Sequence, residues 1–365
     1  MNRFWIAVAM LLAAGTAALA DMNVVTRSDT EIAIWGKLHV EADNYAVDSA
    51  TGAGDASGTR LQTHSSRFAF KGSHVLNEDM KGVFQIEAQA NMTGDEGAEP
   101  FAKTRNTYLG LSSATAGEIR MGKHDVAYKM ATIGDNICAD ALGENDNIIS
   151  EGLGRPDDTA LYLSPKVSGL QFLASVALTD AQEYDGDKLA PTNKPSDVQA
   201  GHGVSAAILW EGSDKSFACV AAELQKGDVI SSGDKVSGYD SVVLSAGCDV
   251  LDGTKLVGAI ETRSGARDAI ADQLNYSVGV KQRVVGKHAI KVQYSVRDVD
   301  AKDADADLTT VAYSYAASKS LELYVMATAI NNDTASAVDY SDGKIGNVGK
   351  GDDLQAVVLG AIYDF

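Results

Sequence analysis

The sequence predicts an all-β protein: one antiparallel, up-and-down transmembrane β-barrel of 16 strands. Three observations predict it. The chain opens with a secretory leader, and nothing after that leader is apolar for long enough to be a membrane helix. Segments of about ten residues with period-two hydrophobicity then repeat to the last residue. The connections between them alternate long and short without exception.

The leader comes first. Met1 to Arg3 carry one positive charge, Phe4 to Leu12 are apolar, and Ala18-Leu19-Ala20 supplies a small-residue cleavage site. That is the order of a signal peptide, and the apolar run falls short of the roughly 20 residues a spanning helix needs. Residues 1–20 are therefore read as a cleaved signal peptide and 21–365 as a single barrel domain. A secreted chain without a spanning helix either stays in the periplasm or crosses the outer membrane as a closed barrel. Loss of Arg3 takes the formal charge from −19 to −20. Such a chain repels phosphates, so no nucleic-acid partner is expected.

In the first segment, Ile32, Ile34, Gly36, Leu38, Val40 and Ala42 alternate with Ala33, Trp35, Lys37, His39, Glu41 and Asp43. One face is apolar and the other mostly polar. The last segment repeats the pattern with Val357, Leu359, Ala361, Tyr363 and Phe365 on one side. Marking every such run gives strands at 31–46, 65–76, 80–93, 104–114, 117–128, 159–165, 169–178, 204–212, 215–226, 240–251, 254–263, 275–285, 288–298, 308–318, 321–331 and 353–365. The even number returns both ends of the chain to the periplasmic side.

The short connections are Asn77-Glu78-Asp79, Thr115-Ala116, Lys166-Val167-Ser168, Ser213-Asp214, Asp252-Gly253, Gly286-Lys287 and Lys319-Ser320, whereas the long ones are rich in Gly, Asp and Ser. Tight turns at one end and long loops at the other are the mark of an outer-membrane barrel. A soluble sandwich or propeller also alternates but has no reason for that asymmetry. Cys138, Cys219 and Cys248 are odd in number. Alternation sets Cys219 with Glu223 and Gln225 on one face, and Cys248 with Val242 and Leu244 on the other, which argues against a Cys219–Cys248 bridge.

Several segments resemble the general (non-specific) porins of Gram-negative bacteria, over nearly the whole mature chain. Ser66-Arg67-Phe68-Ala69-Phe70-Lys71-Gly72 is similar to the family's second strand, and Lys103-Thr104-Arg105 through Tyr108-Leu109-Gly110-Leu111 to its fourth. Gly117 to Lys123 resembles the start of the fifth, and Ala160 to Lys166 with Ser168-Gly169-Leu170 resembles strand six turning into seven. The final Phe365, with Tyr363, resembles the C-terminal signal read by the outer-membrane assembly machinery. The resemblance implies a homotrimer among outer-membrane lipid and lipopolysaccharide, passing small hydrophilic solutes and ions. It also implies a third long loop folded into the lumen, where its acids face bases on the barrel wall.

Alternation independently sends Lys37, Arg67, Lys71 and Arg105 away from the apolar face, and a charge facing mid-membrane lipid costs about 2–4 kcal/mol. Arg67 and Arg105 match the family's constriction arginines, and Arg155 matches a third. The long loop 129–158 holds seven acids against two bases, and Asp135, Asp140, Glu144 and Asp146 are the candidates for its pore-facing side. The family's usual Pro-Glu-Phe-Gly stretch is missing there. Asp298, Asp300, Asp303, Asp305 and Asp307 form a run without the Gly and Glu of a calcium loop, so it reads as a solvated loop tip that binds no dedicated metal. Tyr45, Trp210, Tyr313, Tyr315 and Tyr363 lie near strand ends, as interfacial girdles do.

These readings favour a water-filled diffusion channel with a mild cation preference, the latter from the net charge. A substrate-selective channel is the alternative, and aromatics at 7% of the chain give little material for a sugar slide. No Ser/His or metal-ligand spacing connects the six scattered histidines, so neither an enzyme nor a cofactor is expected.

Overall fold

The computed structural model describes residues 22–51, 55–93, 101, 103–132, 134, 136–178, 203–212, 215–225, 239–265, 271–340, 345 and 348–365. The leader, Asp135, the turn Ser213-Asp214 and the tips of several long loops lie outside the described residues.

The strands are β1 (Met22–Thr26), β2 (Thr30–Asp48), β3 (Ala56–Thr63), β4 (Arg67–Val75), β5 (Met80–Gln89), β6 (Lys103–Thr104), β7 (Thr107–Ser113), β8 (Gly117–Lys123), β9 (Thr159–Leu163) and β10 (Leu170–Ala177). The other wall comprises β11 (Gly203–Glu211), β12 (Phe217–Gln225), β13 (Tyr239–Leu251), β14 (Thr254–Gly265), β15 (Gln273–Val285), β16 (His288–Val299), β17 (Ala306–Ala316), β18 (Leu321–Asn332) and β19 (Asp353–Asp364). All pair antiparallel with their neighbours, and β19 pairs with β2, so the sheet closes. β3 with β4, and β6 with β7, are single strands interrupted once, both lying along one neighbour. That leaves 16 barrel strands plus β1. Closure pairs every ladder and removes the sheet edges that lipid would not tolerate.

β1 occupies the place beside β2 that β19 vacates at the chain's end. It pairs Thr26 with Glu31 and Met22 with Ile34, while Phe365 exchanges backbone hydrogen bonds with Gly36 at 2.9 and 3.0 Å. β1 and the last residues of the chain thus lie along β2 as one composite strand. The interruption at 64–66 is repaired by Ser66, whose hydroxyl donates to the His39 carbonyl at 3.0 Å and accepts the His39 N–H at 2.7 Å.

Packing is inverted relative to a water-soluble protein. The exposed face carries Phe70, Ile86, Leu109, Met121, Ile208, Leu244, Val278, Val292 and Val325, whereas Glu41, Asp43, Glu87, Glu223, Glu261, Asn275 and Gln293 are buried. The outward residues meet lipid, and the strict alternation forces every polar neighbour inward. Outward Tyr313 and Tyr315 stack on His288 near the tight-turn end. Tyr45 departs from the girdle expectation. It shares the inward face of β2 with Glu41 and Asp43 and carries the Arg60 guanidinium 4.9 Å above its ring. It stands above the lipid, where alternation no longer sorts side chains by polarity.

The strand expected over 117–128 stops at Lys123. Asp125 N–H donates to Asn106 Oδ1 at 2.9 Å, and a helical turn, Ala127–Thr132, follows with Tyr128 and Ala131 fully buried. Cys219 is buried and lies opposite Ser245 in register, Cys248 is exposed, and the two are not joined by a disulfide.

Candidate functional site: the charged inner wall and loop 124–158

Residues 124–158 touch inward-facing groups on both walls. Ala127 and Tyr128 N–H donate to Ser175 and Ser205 hydroxyls at 3.0 and 3.2 Å, and Ser245 Oγ donates to the Ala131 carbonyl at 2.8 Å. On the far side Thr310 Oγ1 donates to the Gly143 carbonyl at 2.7 Å, and Arg297 to the Asn147 carbonyl at 3.0 Å. Two buried wall carboxylates serve as acceptors. Glu261 takes Tyr128 O–H at 2.6 Å and Ser150 N–H at 3.0 Å, and Glu223 takes Leu153 N–H at 2.8 Å. A loop normally exposes its backbone to water; here strand side chains satisfy it instead.

The expected bases meet one expected acid. Asp140 lies between Lys37 Nζ, at 2.5 Å, and Arg67 Nη2, at 3.2 Å. Its backbone is left-handed, with φ of 60°, and its N–H donates to Glu144 Oε2 at 2.6 Å. Burial pushes the Asp140 carboxyl up, but Arg67 and Lys37 outweigh that and hold it below the usual carboxylate range. Arg105 pairs with the buried Glu87 at 2.7 Å, and Arg67 also approaches Glu87, at 4.0 Å. The wall is therefore a chain: Lys37 and Arg67 on Asp140, Arg67 and Arg105 on Glu87.

Arg155 stands in a second group. It bonds Asp125 Oδ1 at 2.8 Å and Asn106 Oδ1 at 3.0 Å, and Lys129 pairs with Glu151 and approaches Asp125 at 3.8 Å. Burial pushes Asp125 up, yet Lys129 and Arg155 hold it below its ordinary value. Glu144 and Asp146 both accept from Asn136 Nδ2, at 3.3 and 3.1 Å, and Glu144 also takes the Asp140 N–H, so it ties the loop to itself. Lys71 lies four residues along β4 from Arg67, with its ammonium 5.9 Å from the Trp35 ring centroid, apart from the Asp140 cluster.

Sequence reasoning missed Glu87, Asp125 and the buried Glu41. Glu41 accepts from Tyr324 O–H and lies 2.7 Å from His64 Nε2. Glu41 and Glu87 are single inward acids on alternating segments, whose partners only the cross-strand register shows, and Asp125 meets its bases through the path of the loop.

A closed 16-strand barrel with a charged inner wall and an apolar outer one defines an outer-membrane β-barrel channel. The Gram-negative porin family matches residues 7–335, and the chain belongs to it. Outer membrane porin N of Escherichia coli (strain K12) is 27% identical over 201 residues, 53% of this chain, and the match spans 48% of that relative, about half its length. Among solved structures, the anion-selective porin from Comamonas acidovorans is similar with a TM-score of 0.69 and 19% identity, over 92% of this chain and 100% of that one. Salmonella typhi OmpF in complex with daunomycin gives 0.63 and 17%, over 94% and 100%. A trimer form of Vibrio cholerae OmpT gives 0.62 and 11%, over 93% and 100%. These likenesses establish the fold, and the family places the chain in the outer membrane.

Proposed function

We propose that the protein is a homotrimeric, water-filled channel for passive diffusion of small hydrophilic solutes and ions. The observation that carries this reading is the position of Asp140, a loop carboxylate seated on Lys37 and Arg67 of the wall. Loop 124–158 then narrows the lumen, with Asp140 of the loop in contact with Lys37 and Arg67 and with Arg105 beside them on Glu87. Charges opposed across a constriction orient water and polar solutes and raise the barrier for apolar ones. The near-complete pairing of this cluster gives it little net field, so the acidic loops supply a mild cation preference at the mouth. Lipopolysaccharide would meet the long acidic loops through divalent cations. Outward Tyr363, stacked on Phe365 at 6.0 Å, is the proposed assembly signal.

The test is planar-bilayer recording of the refolded protein under a KCl gradient. Large steps in groups of three, linear in salt, with a cation-signed reversal potential that shrinks as salt rises, are the expected result. A well-folded barrel without conductance would overturn the channel reading.

A further inference from the structure

Three lysines stand side by side on the wall remote from β4. Lys255 on β14 is the register partner of Lys281 on β15, and Lys281 that of Lys291 on β16. Alternation puts all three on the inward face, with Val257, Gly279 and Gln293 forming the next row toward the long loops. Opposed residues on neighbouring strands lie about 5 Å apart, where like charges destabilise the sheet.

Compensation within the chain is incomplete. Lys291 donates to Glu322 Oε1 at 2.7 Å. Lys255 lies over the Phe217 ring at 5.3 Å and faces Asp249 in register, without an ion pair between them. Among the described residues Lys281 has neither an ion pair nor a side-chain hydrogen bond. A second observation lies one row up. Gln293 is fully buried, and neither its amide nitrogen nor its oxygen has a partner. A buried amide left unpaired is costly and calls for an explanation. Gly279, directly opposite Gln293, brings no side chain to pair with it, and the Val257 and Ile137 side chains, which a Cβ at Gly279 would meet at 2.9 and 3.0 Å, are apolar.

We infer that Lys255, Lys281 and Lys291 form a binding station for small oxyanions, solutes bearing phosphate, sulfate or carboxylate groups, with Gln293 offering an amide beside it. An oxyanion accepts charge-assisted hydrogen bonds from Lys281 and its neighbours and cancels the repulsion along the row. The inference rests on the channel reading and adds a solute class to it. Anions are captured below the loop, although the acidic mouth favours cations.

The probe is inorganic phosphate, added at neutral pH to single channels in about 0.1 M KCl, where screening is modest. Phosphate should reduce the KCl current with a saturating concentration dependence. Lys281→Gln should raise the half-effect concentration about tenfold, the loss of one charge-assisted hydrogen bond, while Lys281→Arg stays within about threefold of wild type. Lys255→Gln gives an independent reading should Lys281→Gln fail to insert, and it should weaken the effect as well. Arg283→Gln, near the β15–β16 turn and paired with Asp252, should leave it unchanged. Open wild-type channels indifferent to phosphate would overturn the station, as would Lys281→Gln or Lys255→Gln channels that respond like wild type. Absence of any KCl conductance would instead overturn the channel reading.

Discussion

Asp140→Asn separates the charge of the constriction from its shape. Asn tolerates the left-handed backbone at 140 and keeps the N–H that Glu144 accepts, so the loop holds its path. The exchange leaves Lys37 and Arg67 without their shared carboxylate. A unit charge about 5 Å from the ion path is worth about 0.8 kcal/mol at the dielectric of water, and about 0.5 kcal/mol after screening at 0.1 M salt. That lowers cation and raises anion occupancy by about 2.3-fold each, moving the permeability ratio about fivefold toward anions. In 1 M salt, where the Debye length is about 3 Å, the change should fall below about twofold. Reversal potentials under KCl gradients at the two concentrations measure both. An unchanged ratio at low salt would refute the placement of Asp140 beside the ion path, and so would a shift that salt does not diminish.

Three further outcomes follow from particular contacts. Arg105→Gln leaves Glu87 buried without its main partner and should cost about 3 kcal/mol, read as a lower melting temperature, and adding Glu87→Gln should recover part of it. Because Asp140 is held below the usual carboxylate range, its anchoring is complete above the unfolded value near pH about 4 and is lost only as pH falls through the lower folded value. The Asp140→Asn shift in permeability ratio should therefore persist from pH 7 down to about 3, and a shift that vanishes between about pH 5 and 3 would show an ordinary carboxyl. Gly36→Ala would drive a Cβ within 2.4 Å of the Phe365 ring and 2.8 Å of the Arg67 carbonyl, so heat-stable trimers on gels should decline sharply relative to wild type.

The barrel was legible because lipid permits no exceptions. Every expected segment meets an observed strand, most within two residues, since one outward charge mid-membrane costs as much as several good contacts return. Legibility ends where lipid ends. Ala56–Thr63, with Ser57, Thr59, Arg60 and Gln62, was missed because it rises above the membrane and needs no apolar face. Tyr45 was assigned outward for the same reason. The helical turn at Ala127–Thr132 escaped because its apolar residues suit a continuing strand equally well, and the Asn106 side chain that ends β8 comes from another strand. For the site, Lys37, Arg67 and Arg105 were readable as inward bases from face and resemblance, whereas Asp140 was only one of four candidate acids, with Asp135, Glu144 and Asp146, on an acid-rich loop. Glu87 and Asp125 were not, since pairing is a property of register and loop path.

The inner wall divides its carboxylates between two tasks, and this division bears on selectivity more than the total charge does. Glu41, Glu223 and Glu261 are buried and accept hydrogen bonds from backbone or side-chain groups of the chain itself. Their charge is spent holding loop 124–158 against the barrel. Glu87 and Asp140 neutralise arginines and Lys37, so the arginine side of the opening is close to balanced. The lysine row, in which only Lys291 has an ion pair, is then an uncompensated positive stretch of the described inner wall, although the chain as a whole is strongly acidic. Fixed charge acts over about 8–10 Å at physiological salt, so an ion passing the row responds to Lys281 and its neighbours rather than to acids at the mouth. On the proposed reading, cations are favoured at the entrance and anions are detained beyond it.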